Sequence, residues 1–228
     1  MRSICYRIVL TALIISIISI PVFAVSGIQE TEYFPEDKAA SFLDNISVTV
    51  IHEEPPRLSV KCFDVNEHGQ IALGFYPAQT IGVYSPDGSF LYGYTFHSSG
   101  DYSLIWDKGC VCIYFMRSSV LATFDADGNC IDIEMYAEVA DNYRYIRNTF
   151  DKSQKQLGTI SYWLEKDIPI AHGYARLLCS DGDESSQILY DATAESNTSI
   201  IITLICIAFF FTCVVLIVIR QYHKRKLR

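Results

Sequence analysis

Asp125 and Asp127 stand two apart, ahead of Gly128 in the run Phe124–Gly128, and Asp87-Gly88 occurs forty residues upstream after Tyr84, Ser85 and Pro86. Carboxylates at alternate positions before a glycine suggest a calcium loop, which in the EF-hand takes donors at positions 1, 3 and 5, Gly at 6 and Glu at 12. Here the glycine comes fourth, and no acid stands at the upstream place that matches Asp125. Asp-Gly also suits a hairpin, because glycine adopts positive φ without steric cost. The two pairs are expected as turns.

Other chemistry-bearing residues form no recognisable constellation. Cys110 and Cys112 make a C-x-C with no histidine at ligand spacing, which a buried strand face explains. His52, His68, His97 and His172 are scattered along the chain, and Glu53-Glu54 and Asp181/Asp183/Glu184 are expected as solvated acids. The chain has no zinc-protease, nucleophile-elbow, phosphate-loop or dinucleotide motif, so neither a cofactor, a bound metal nor a catalytic group is expected. Aromatics crowd one region, and Tyr92, Tyr94, Tyr102 and Trp106 are the candidates for a contact surface; packing across strands is the competing reading.

The elements that position these residues form a repeat. Residues 69–91 align without a gap on 109–131: Gly69/Gly109, Phe75/Phe115, Asp87/Asp127 and Gly88/Gly128 are identical, and the match is expected to run upstream to Glu67/Asp107. Ile71, Leu73 and Phe75 alternate, as do Val111, Ile113 and Phe115, so each set lines one face of a strand. A period of forty with short strands is a blade-like signature. The stretches 63–96 and 104–133 resemble NHL-type β-propeller repeats, and a degenerate third unit runs from Ile160 to Asp191. That resemblance implies a mainly β, antiparallel propeller-like or partial-propeller ectodomain at 43–191. It also implies a binding platform, since such repeats commonly bind proteins or ligands, and it carries over no catalytic residue. Ile46–Val50 is expected as an edge strand. Val139, Tyr143, Ile146 and Phe150 recur at helical spacing and predict a short inserted helix within 138–155.

The ends have other roles. Residues 1–24 read as a signal peptide, with Arg2 and Arg7 before an apolar run and small residues at the cleavage point. Residues 25–42 read as a disordered lead-in and 192–199 as a stalk. Residues 200–219 carry no charge, Gly or Pro, enough for a transmembrane helix of roughly 30 Å. The basic tail at 220–228 marks the cytoplasmic side. All 26 acids fall between Glu30 and Glu195, with 11 of the 18 basic residues once the five in the tail and the two at the start are set aside. Such a surface repels phosphate backbones and excludes nucleic acid as a partner.

Five of the eight cysteines (Cys62, Cys110, Cys112, Cys130 and Cys179) lie in the ectodomain. They are read as small buried residues, with a Cys112–Cys130 bridge as the alternative. The functional expectation is a non-catalytic, extracytoplasmic β-repeat module on a single-pass membrane anchor, binding a protein partner or ligand. An extracytoplasmic hydrolase or lyase, and a structural subunit completed by another membrane protein, are the alternatives.

Overall fold

The computed structural model describes residues 31–32, 34–137, 139–150, 152–169, 173–182, 185–195, 198, 202–203, 205–210 and 212. After a two-residue strand, β1 (Thr31–Glu32), comes helix α1 (Glu36–Ile46). Glu36 and Asp37 occupy its first turn, where the helix dipole favours negative charge. Ala39, Phe42, Leu43 and Ile46 share one face, and Phe42 meets Phe115 edge-on at 5.3 Å. Ser47 ends the helix in the left-handed region at φ 46°, its N–H bonding Leu43 O at 3.0 Å. The lead-in expected over 25–42 therefore includes most of a packed helix.

The first sheet contains β2 (Thr49–Ile51), β3 (Ser59–Val65), β4 (Ile71–Tyr76), β5 (Thr80–Tyr84) and β6 (Phe90–Thr95), in the order β2-β6-β5-β4-β3. The second is built from β7 (Tyr102–Asp107), β8 (Cys110–Phe115), β9 (Val120–Phe124) and β10 (Cys130–Tyr136), with β1 added along β10. Helix α2 (Ala140–Thr149) follows, within the stretch where helical spacing predicts it. The third sheet, β11 (Gln154–Leu157), β12 (Ile160–Glu165), β13 (Arg176–Ser180) and β14 (Gln187–Asp191), keeps sequence order. The protein is thus mainly β, in three antiparallel sheets, none of them closed.

The period of forty reappears as strand register. Ile71 pairs with Tyr84 as Val111 pairs with Phe124, and Gly82 pairs with Gly93 as Ala122 pairs with Ile133. Each unit also carries a bulge at the matching place, beside Tyr84 and beside Cys130. Upstream the match slips by one residue: Val65 pairs with Ile71, whereas Trp106 pairs with Val111. Glu67 lies in a turn and Asp107 ends a strand, so the upstream end of the expected alignment does not hold.

Three turns share one design. At 66–70, 85–89 and 125–129 the first and last residues bond N–H to O at 3.0, 2.8 and 3.1 Å. The fourth position is glycine in the left-handed region, with φ 77°, 85° and 81° at Gly69, Gly88 and Gly128. This is a three-residue hairpin loop in which a residue with a side chain would be strained.

The sheets stack by repeating one step. The face bearing Val111, Ile113 and Phe115 packs against Ala72, Ile81, Val83 and Tyr94 of the first sheet. The matching face of the first sheet, with Ile71, Leu73 and Phe75, packs against Tyr162, Leu177 and Tyr190 of the third. Phe75 stacks on Tyr190 at 5.5 Å, and the bridge Val60–Tyr174 adds a backbone tie. On the other side of the second sheet, Ile146 of α2 and Phe150, which caps that helix, cover Ile105, Cys112, Tyr114 and Leu121. Tyr143, expected in that stripe, is 70% exposed: Ile146 and Phe150 meet the sheet while Tyr143 is turned to solvent.

Among the described residues no helix is long and apolar enough to cross a membrane. Most of the expected span 200–219, together with the signal segment 1–24 and the tail 220–228, lies outside the described residues.

Candidate functional site

The Asp-Gly loops spend their polar groups on themselves. Asp125 Oδ1 accepts the N–H groups of Asp127 at 3.0 Å and Asn129 at 2.8 Å, and Oδ2 accepts the Asn129 amide at 3.0 Å. These bonds hold its carboxyl below the usual range. Asn66 does the same in the 66–70 turn, accepting from His68 and Gln70. Among the described residues no group of three or more His, Cys, Asp or Glu is placed to hold a metal.

The aromatic surface expected at Tyr92, Tyr94, Tyr102 and Trp106 is not assembled. Tyr94 and Tyr102 are core residues, at 0% and 3% exposure. The Tyr94 hydroxyl donates to Asp125 O at 2.6 Å, and that of Tyr102 donates to Phe75 O at 3.0 Å and Thr80 O at 2.9 Å. Backbone carbonyls satisfy both hydroxyls, so the rings sit inside at no polar cost. Burial pushes both hydroxyls well above their ordinary range. Tyr92 is half-buried and meets Tyr94 edge-on at 5.6 Å. Of the four, Trp106 alone borders the cavity described below.

The other candidates do not converge. His68 is exposed beside Glu67, and Glu54 pairs with Arg57 at 3.3 Å. Asp181 takes the Thr159 hydroxyl, and His172, Asp183 and Glu184 lie outside the described residues. Cys112 and Cys130 are both thiols, which corrects the alternative of a bridge between them, and burial pushes them up to about 12 and about 11.

Polar groups do converge where the three sheets meet. Asp64 on β3 keeps only 10% of its side chain exposed. One oxygen accepts the backbone N–H of Trp106, on β7, at 2.8 Å, and the other pairs with the Lys155 ammonium on β11. One carboxylate thereby ties all three sheets. Beside it lies a cavity of about 240 Å³ lined by Asp64, Ile105, Trp106, Asp107, Tyr145, Thr149, Lys152 and Lys155. Tyr145 and Thr149 are four apart on α2 and so lie on one face. Burial, with Cys112, Asp107 and Asp64 nearby, pushes the Tyr145 hydroxyl up.

Two charges on this wall are uncommitted. The Asp107 carboxylate and the Lys152 ammonium form no ion pair with any described residue, whereas Asp64 and Lys155 neutralise each other. The indole N–H of Trp106 is buried without an acceptor among the described residues. Sequence reasoning reached Trp106 and missed Asp64, Asp107, Lys152 and Lys155. The signal that could have found the site was Asp64 itself, an acid between Phe63 and Val65 in the buried half of β3.

Compared with protein-family models and with curated proteins, the chain matches none.

Proposed function

We propose that the protein is a single-pass membrane protein that holds a β-repeat module outside the cytoplasm, where the module binds a ligand or a partner and does not turn over a substrate. The observation that carries this reading is the apolar segment after the third sheet. Its described residues from 202 to 212 are helical and exposed, with Ile205 at 62%, Phe209 at 71% and Phe210 at 65%. A helix that is apolar all round belongs in hydrocarbon, since each Å² of apolar surface left in water costs about 25 cal/mol. The basic residues after position 219 then orient the tail inward. Only residues 192–199 separate Asp191 from Ile200, so the third sheet stands near the bilayer. The three consecutive four-stranded meanders fit propeller-like blades in partial form, and the cavity at their junction is the natural ligand seat.

Alkaline carbonate washing of membranes and protease treatment of intact cells test this reading. The full chain is expected to stay with the membrane and to lose its β module to external protease while the tail survives. Release by carbonate, or digestion of the tail from outside, would sink it.

A second reading, a subunit completed by another membrane protein, draws on Trp163, Leu178 and Ile188. These three pair across β12, β13 and β14 on the face opposite Tyr162, Leu177 and Tyr190, and Ile188 is 48% exposed. A strictly monomeric mass for the full chain in detergent would remove that reading as far as self-association is concerned.

A further inference from the structure

We propose that the cavity where the three sheets meet binds a small zwitterion of the free α-amino acid class. The inference deepens the reading of the module as a binding platform and rests on it. At about 240 Å³ the cavity falls below the roughly 300–1,000 Å³ of sites that hold drug-sized ligands, so its occupant is a small molecule.

The wall selects the charge pattern. Asp64 has both oxygens engaged, by Lys155 and by the Trp106 N–H, so this pair forms a neutral floor and recruits nothing. Lys152, exposed, and Asp107, half-buried, remain as one cation and one anion on the cavity's lining, without an ion pair to any described residue. A simple anion would satisfy Lys152 and be repelled by Asp107; a simple cation would meet the reverse. A molecule carrying a carboxylate and an ammonium one carbon apart satisfies both. Trp106, Tyr145 and Ile105 supply an aromatic and aliphatic wall for the remaining side chain.

The test is titration of the full chain in detergent micelles, followed by calorimetry and tryptophan fluorescence. The probes are L-leucine and L-phenylalanine, set against 4-methylpentanoate, isoamylamine, 3-phenylpropanoate and phenethylamine, which each keep one charge of the pair. At least one amino acid is expected to bind, with its single-charge analogues at least about tenfold weaker, a difference of about 1.4 kcal/mol. Lys152→Ala and Asp107→Asn should each weaken that binding by at least about tenfold while circular dichroism and the thermal midpoint stay at their parent values. The proposal is overturned if neither amino acid binds, if an analogue binds as tightly, or if both variants bind like the parent. A negative titration on a chain that passes the topology test removes the zwitterion and leaves the membrane-held module standing.

Discussion

Replacing Asp64 with alanine removes a carboxylate that bonds residues of the other two sheets. It leaves the Trp106 N–H without its acceptor, at a cost of about 1–3 kcal/mol for a buried donor. It also leaves the Lys155 ammonium unpaired. That ammonium is 32% exposed and can turn to water, so its loss belongs nearer the exposed range of about 0.2–1 kcal/mol than the roughly 3–5 kcal/mol of a fully buried broken pair. Together these give about 1–4 kcal/mol, a fall in thermal midpoint of about 2–16 °C for a chain of this size. Asp64→Asn keeps an acceptor for the N–H and should cost less than half of that. The readout is intrinsic fluorescence during thermal or urea unfolding, since Trp106 sits at the junction and Trp163 in the third sheet. A double-mutant cycle with Lys155→Met isolates the pair and should give a coupling of about 0.5–1 kcal/mol. A coupling indistinguishable from zero, with Asp64→Ala costing under about 1 kcal/mol, would refute the assignment of this carboxylate as the tie between sheets.

Two further outcomes follow from the turns and from a carboxyl on β10. Alanine at Gly88, φ +85°, would put its Cβ 2.6 Å from Leu189 O, whereas at Gly182, φ +81°, it meets no described atom within 4 Å. Gly182→Ala should therefore cost only the left-handed penalty of about 1–2 kcal/mol, and Gly88→Ala clearly more, as measured by urea midpoints; equal costs would contradict the docking of that loop on β14. Burial raises the Glu134 carboxyl to about 7, with Asp132 and Asp107 adding to the shift and Lys108 opposing it. The folded state holds that proton more tightly than the unfolded chain, so the stabilisation is complete below the unfolded value of about 4.5 and is lost as pH rises through about 7. Glu134→Gln should flatten the stability profile over this window, and an unchanged slope would show that another group sets it.

The features of the fold that rest on local pattern were legible, and those that rest on tertiary meeting were not. Alternation at Ile71, Leu73 and Phe75 marks a strand face wherever that strand packs, and Asp-Gly demands a turn in any context. Helix α1 was legible too, through Ala39, Phe42, Leu43 and Ile46, but the polar composition of its surroundings hid the spacing. Tyr94 and Tyr102 were misplaced because nothing local tells a ring on the contact side from one whose hydroxyl reaches an inner carbonyl. Asp64 finds its partners 42 and 91 residues away, on other sheets, so its role exists only once the stack has formed.

Those separations also order the assembly in time. The first two sheets are complete when the chain has grown to Tyr136, but Lys155 and the strands carrying Tyr162, Leu177 and Tyr190 have yet to emerge. Until they do, Val60, Phe63, Leu73, Phe75 and Tyr84 present an uncovered apolar face with an unpaired carboxylate at its margin. A growing chain at that stage is the form most open to aggregation and to chaperone capture, because long-range pairing must wait for the sequence that supplies it. The last sheet made is the one that closes the junction.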